Sequence, residues 1–219
     1  MESQKFALVT GGSEGVGFAI AEMLVGKGFH VILVARNLEK LEAARESLGA
    51  ENISLLSCDV TNAQSVERLL ADVLGITNHI EVLVNSAGTF KWDGSGVNLM
   101  ELNALSKELV ANTFAKTLSD GALVVNVSSQ AALFAEDDVR REGEHEYVAS
   151  MQRVDTFTEA FAAQHPEFRV YVTHPPLMKG KIANEQFRGR AGFEGIDFDS
   201  LPGPEIVAEE LEQKFFVNN

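Results

Sequence analysis

The chain has 219 residues, and 32 acids against 18 lysines and arginines leave it a formal net charge of −14. That length suits one domain with a full-sized core, and an acidic balance without a basic cluster argues against nucleic acid and anionic membrane surfaces as partners. No apolar run approaches the ~18 residues of a spanning helix, and Met1–Phe6 lacks the apolar stretch of a secretory signal, so the expected location is the cytoplasm.

Phe6-Ala-Leu-Val-Thr10 has the length and composition of a buried strand. It stops at Gly11-Gly12. Phe18, Ile20, Ala21, Leu24 and Val25 then recur at helical spacing, up to Gly28. His30–Ala35 reads as a second strand, and Leu38–Leu48 as a helix capped by Asn37. Ile53–Ser57 is a third strand. The helix from Ala63 to Leu74 gathers Val66, Leu69, Leu70 and Val73 on one face, and Ile80–Val84 is a fourth strand. In the second half the pattern predicts one long helix from Leu99 to Leu118 and a strand from Ala122 to Val127. A helix from Tyr147 to Gln164, a strand from Arg169 to Thr173 and a last helix from Glu205 to Phe215 follow. Strands and helices alternating over short connections require parallel strands with right-handed crossovers. The expected fold is therefore a single-domain α/β protein with a doubly wound parallel sheet of about six strands.

Two segments break the rhythm. Residues 136–146 hold six acids and two arginines, and residues 179–202 hold four glycines without a clear period. Both read as surface loops. The second falls in a substrate-side region, 175–203, where a lid over the site is the alternative. A single cysteine, Cys58, excludes a disulfide scaffold and a Cys-based zinc site and fits a reducing compartment. The five histidines show no i, i+4 pair, so no metal is expected; His174, at the end of the sixth strand, is the one nearest the expected site.

Thr10-Gly11-Gly12-Ser13-Glu14-Gly15-Val16-Gly17 lies between the first strand and the first helix. Gly11 can make the tight turn, Gly15 admits close backbone approach, and Gly17 lets helix and strand pack closely. The helix N-terminus then offers free N–H groups to a pyrophosphate. Gly11, Ser13, Gly15, Val16 and Gly17 are the residues expected there.

With these residues the chain resembles the short-chain dehydrogenase/reductase family, whose Thr-Gly-x-x-x-Gly-x-Gly spacing the glycines match. Asp59-Val60 follows the third strand, where the family's Asp contacts adenine. Asn85-Ser86-Ala87-Gly88 is similar to its Asn-Asn-Ala-Gly, Asn126-Val127-Ser128-Ser129 to its Asn-x-Ser-Ser, and Tyr147-Val148-Ala149-Ser150 to its Tyr-x-Ala-Ser. Asn103 sits near the family's helical Asn. The resemblance covers nearly the whole chain. It implies a Rossmann-type fold, a nicotinamide cofactor touched by Asp59, Val60, Asn85, Ala87 and Gly88, and catalysis by Tyr147 as acid/base. Ser129 (with Ser128 as fallback) would polarise the substrate oxygen, and Asn103 would support the proton path.

In this fold an acid after the second strand selects NAD and a base selects NADP. Ala35-Arg36 offers no acid and one guanidinium, which favours NADP(H) over NAD(H). Glu14 pulls the other way, since many NADP-using relatives carry a base there.

The resemblance also implies a Lys four residues after Tyr147, where it would lower the Tyr pKa and hold the nicotinamide ribose. This chain has Met151. Arg153 follows Tyr147 by six residues, about 600° of helix rotation and so well off the Tyr face. Three further departures accompany it: a lengthened Ser129–Tyr147 interval, Pro175-Pro176 where the family has Pro-Gly, and no evident seventh strand. The leading reading is an NADP(H)-dependent oxidoreductase that reduces a carbonyl on a small-molecule substrate, with weakened catalysis. The rivals are a non-redox enzyme (dehydratase, isomerase or cyclase) on the same scaffold and a catalytically silent nucleotide-binding protein. The expected assembly is a monomer or a homodimer through the helices beginning near Leu99 and Tyr147, and not a homotetramer.

Overall fold

The computed structural model describes residues 4–49, 51–90, 96–134, 144–180, 182–189 and 194–217. Six strands form one sheet: β1 (Phe6–Thr10), β2 (His30–Ala35), β3 (Ile53–Ser57), β4 (Ile80–Asn85), β5 (Leu118–Val127) and β6 (Arg169–Thr173). Their order is β3-β2-β1-β4-β5-β6, and every pair is parallel. The chain leaves β1 toward β2 on one side and later returns to place β4 on the other. This reversal opens a crevice at the carboxyl ends of β1 and β4, where such sheets bind ligands.

Both faces of the sheet are covered, because each central strand is apolar on both sides. Ala7, Val9, Val31 and Leu33 pack with Ile20, Leu24, Leu41, Val207 and Leu211, from α1 (Gly15–Gly26), α2 (Leu38–Leu48) and α6 (Glu205–Phe215). Leu8, Ile32 and Leu83 face the opposite way. They meet Val66, Leu69, Val110, Phe114, Phe157 and Phe161, from α3 (Ala63–Leu74), α4 (Ser106–Phe114) and α5 (Glu144–Gln164). The Asn37 side chain accepts from the Lys40 N–H at 3.0 Å, capping α2 as its sequence predicts.

The predicted long helix does not run from Leu99 to Leu118. It opens with a π turn at Glu101–Leu105, continues as α4, and closes in a 3₁₀ turn at Ala115–Thr117. Leu118 already belongs to β5, opposite Ile80, so that strand starts four residues before the predicted Ala122. The apolar period cannot register this change, because Phe114 and Leu118 bury into the same core from a helix and a strand. The helix predicted from Tyr147 begins at Glu144, and residues 136–143 of the acidic stretch lie outside the described residues. Within the second predicted loop, Ala183–Phe187 forms a π turn; positions 181 and 190–193 lie outside the described residues.

Candidate functional site

The glycine turn is built as its spacing predicts. Gly11 has φ 67°, and a Cβ there would stand 2.8 Å from the Ala87 nitrogen. The turn after β1 thus presses against the turn after β4. A Cβ on Gly17 would lie 2.4 Å from the Gly11 carbonyl oxygen, so only glycine lets α1 come this close to the turn. Gly15 is different: its φ is +61°, and nothing lies within 4 Å of where its Cβ would be. The conformation demands glycine, and the space in front of it is open. No side chain caps the start of α1, so the first N–H groups of that helix stay available to an anion. Ser13 and Val16 are half-buried beside it.

An open cleft of about 330 Å³ adjoins the turn, lined by Ser13, Glu14, Phe18, Lys40, Ala43, Ala44 and Ser47. Lys40 reaches Glu14 at 3.0 Å across its mouth. Sequence reading singled out Glu14 but missed this partner on α2, 26 residues away. Arg36 is exposed at the end of β2, and no hydrogen bond or ion pair holds its guanidinium among the described residues. Asp59 accepts from the Thr61 N–H and hydroxyl at 3.1 and 2.8 Å, fixing the turn after β3, while Val60 is buried.

Around β4 and β5 the site is made of side chains. Asn85 is fully buried and donates to Asn126 at 2.9 Å, which donates to Thr158 of α5. The Asn85 Oδ1 has no partner among the described residues. The two serines after β5 part ways. Ser128 is buried and donates to the Met151 carbonyl, tying β5 to α5. Ser129 accepts from the Ala131 N–H, and its side chain lies close enough to the Tyr147 hydroxyl to draw that group's pKa down. Of the two, Ser129 is the one brought to Tyr147, and Ser128 is a structural strut. Burial pushes the Tyr147 hydroxyl above the ordinary tyrosine value, and the Ser129 side chain offsets part of that rise.

Asn103 lies in the π turn that opens α4, a geometry often found at functional positions. Its amide clamps the backbone of Thr89, accepting from the N–H at 2.8 Å and donating to the carbonyl at 2.9 Å. It also donates to Ser150, whose hydroxyl donates to the Tyr147 carbonyl. Asn103 therefore joins the segment after β4 to the turn of α5 that carries Tyr147.

One turn along the same helix, Lys107 is 2% exposed and donates to the Ala87 carbonyl. Desolvation pulls its pKa down to about 7. Sequence reading did not single it out; the available signal was its place one turn beyond Asn103, on the face that Val110, Ala111 and Phe114 share with the core. Also missed were Phe90, buried and edge-on to Tyr147 at 4.7 Å between centroids, and Phe187, stacked on Phe90 at 4.8 Å. Phe187 comes from the π turn after β6, so that segment touches Phe90 beside Tyr147. Met151 is buried in α5. His174 is engaged by Asp155 at 2.8 Å.

Residues 5–191 match the family model described as short chain dehydrogenase. The chain belongs to that family. It is 28% identical over 191 residues to a fatty acyl-CoA reductase of Acinetobacter baylyi, a match covering 80% of this chain and 63% of that protein. The chain thus spans less than two thirds of that relative's length. It is 30% identical over 183 residues to the human 3-oxoacyl-[acyl-carrier-protein] reductase, covering 78% of this chain and 74% of that one. Among solved structures, an actinorhodin polyketide ketoreductase with NADPH shares the fold at a TM-score of 0.80 and 21% identity, over 97% of this chain and 91% of that one. The family's members are oxidoreductases with nicotinamide cofactors. No helix among the described residues is long and apolar enough to cross a membrane.

Proposed function

We propose that this protein is an NADP(H)-dependent reductase of a carbonyl group, with Tyr147 as its proton donor. The observation that carries the reading is the Tyr147–Ser129 pair, a phenol that burial keeps protonated with a serine side chain beside it. The cofactor end fits a dinucleotide. Gly11 and Gly17 make a turn that a Cβ would obstruct, Gly15 faces open space, and the start of α1 is uncapped. The N–H groups from Ser13 to Gly17 would take the pyrophosphate. Asp59 and Val60 would border the adenine, and Asn85, Ala87 and Gly88 the ribose side. Arg36 would bind a 2′-phosphate, with Lys40 as a second cation once freed from Glu14. A bound NADPH would supply the hydride.

Ser129 and Tyr147 would together hold the substrate's carbonyl oxygen, and Tyr147 would deliver the proton. A protonated phenol suits reduction. Alcohol oxidation needs the phenolate, which the raised pKa makes scarce at neutral pH. Asn103 supports this by fixing Thr89 and, through Ser150, the turn of α5 beneath Tyr147. The Phe90–Phe187 stack beside Tyr147 favours a substrate whose carbonyl is attached to an apolar group. The reductase names of the two curated relatives support the same direction of chemistry.

Met151 stands four residues after Tyr147, where the family's lysine is expected. That substitution favours a second reading, a dinucleotide-binding protein without redox turnover. The deciding measurement is NADPH consumption over a panel of aldehydes, ketones and acyl thioesters, together with NADPH binding by fluorescence. Turnover that falls about 10²–10⁴-fold in Tyr147→Phe, with NADPH affinity kept, supports the reductase. Binding without turnover of any panel member establishes the second reading.

A further inference from the structure

Lys107 is the one lysine or arginine buried in the core among the described residues. An amine so placed costs stability, because a single carbonyl replaces its water shell. A methionine or leucine would fill the same space without that cost. The turn above it is tightly bounded. The point where a Gly88 Cβ would stand is 3.6 Å from the Lys107 Nζ and 3.0 Å from the Asn103 Oδ1. Gly88 thus leaves room for both side chains to reach the underside of the 85–88 turn. That turn ends β4 in the crevice, and its upper neighbour is Gly11 of the glycine turn. Lys107 accordingly places an amine at the junction of the turn after β1 and the turn after β4.

We propose that Lys107 is a cofactor-positioning residue. From α4 it holds the Ala87 carbonyl, and it brings to the cofactor site the positive charge that Met151 leaves absent from α5. This rests on the reading of the site as a dinucleotide site, though not on the reaction. In the ordinary arrangement that the family resemblance implies, one lysine both lowers the Tyr pKa and holds the cofactor. Here the two tasks are separated. Tyr147 keeps a raised pKa, to which no cation contributes, while the Lys107 amine sits beneath the turn at residues 85–88.

The charged surroundings are sparse. Residues 85–90 carry no ionisable side chain. Glu108, beside Lys107 in the chain, is paired with Arg153 of α5 on the outer side, and α5 contributes Tyr147. Desolvation alone accounts for the lowered Lys107 pKa, so an anionic ligand nearby would favour the charged amine.

The test uses the full chain and NADPH as probe, read by fluorescence titration and thermal melting. Three variants are compared with the native protein: Lys107→Met, Lys107→Gln and the relocation double variant Lys107→Met/Met151→Lys. Lys107→Met should melt at the same temperature or higher, yet bind NADPH roughly tenfold more weakly, the scale of one charge-assisted contact. Lys107→Gln keeps a donor for the Ala87 carbonyl without the charge and should be impaired as well. The double variant should recover most of the lost affinity. Native affinity should weaken from pH 6 to pH 8 more steeply than that of Lys107→Met, the difference reporting the amine. Removing a purely structural lysine would lower the melting temperature, and Met151→Lys would not rescue it. Unchanged affinity in a folded Lys107→Met, or no rescue in the double variant, overturns the proposal. Native protein that binds NADPH but reduces nothing overturns the reductase reading and leaves this comparison standing. Native protein that binds no dinucleotide overturns both.

Discussion

The turn between β1 and α1 is almost wholly backbone. Its shape comes from Gly11, Gly15 and Gly17, and the groups it offers a ligand are main-chain N–H donors at a helix end. The corner around Tyr147 is the reverse. Tyr147 and Ser150 come from α5, Ser129 from the end of β5, Asn103 and Lys107 from α4 and its opening turn, and Phe187 from the segment after β6. The first region depends on what eight consecutive residues lack, and the second on what distant residues carry. A backbone site tolerates almost any outward side chain but no added Cβ at its contact points. A side-chain site keeps its fold through single substitutions and changes its chemistry.

The largest expected effect is therefore in the backbone region. Gly17→Val places a Cβ 2.4 Å from the Gly11 carbonyl oxygen, and that neighbour is backbone, with nowhere to go. Dinucleotide binding should fall below detection, with a lower melting temperature. Gly15→Ala meets no atom and strains only its φ, at about 1 kcal/mol, so it should fold and bind weakly. If Gly17→Val binds NADPH normally, the turn is not the cofactor's seat.

Next in size is the choice of nucleotide. Arg36→Ala should cost NADPH about 1–3 kcal/mol of affinity and leave NADH nearly untouched. Glu14→Gln, which releases Lys40, should move the preference the other way by a smaller step. Calorimetry with both nucleotides measures this, and equal native affinities would refute the assignment of Arg36.

These contrasts also explain what the sequence discloses. The β1 turn, the Asn37 cap and five of the six strands are local patterns of a few residues, and they appear in the structure within a residue of their predicted bounds. Ser129 and Tyr147 were legible because they lie in motifs. Lys107 was not, since a lysine on an apolar helix face usually reaches out to solvent; its burial follows from the Ala87 carbonyl it meets at the turn after β4, twenty residues earlier in the chain. Phe90 and Phe187 escaped for the same reason, being 97 residues apart and joined only by folding. Helix periodicity overran into β5 because both elements feed one core.

The corner around Tyr147 carries a prediction about direction. With its pKa above the ordinary ~10, Tyr147 stays protonated across the neutral range. Reduction should hold until pH passes that raised value and then fall, as the acid is lost; oxidation should climb through the same range, as the base forms. Met151→Lys puts an ammonium one turn from Tyr147, favouring the phenolate. A fall of one pKa unit is worth about 1.4 kcal/mol, or tenfold in oxidation at neutral pH, with less gain in reduction. The chain has only two tyrosines, and burial with Glu210 pushes Tyr171 up to about 12. Phenolate absorbance, with Tyr147→Phe to assign the steps, reads the Tyr147 value directly. An unshifted Tyr147 step in Met151→Lys would show that position 151 does not face Tyr147 electrostatically.

The smallest effect should appear where local structure serves neither region's chemistry. Asn37 caps α2 with one hydrogen bond to the Lys40 N–H at 3.0 Å. Asn37→Ala leaves that N–H to water and should cost about 1 kcal/mol of stability. For a chain of this size that is a fall of about 2–4 °C in Tm. Because Lys40 belongs to the same first turn and pairs with Glu14, fraying there should loosen the cation beside the 2′-phosphate position. NADPH affinity should then slip slightly while NADH affinity stays constant. Equal losses for both nucleotides would mean that α2 shapes the adenine pocket as a whole, and that Lys40 carries no part of the phosphate preference.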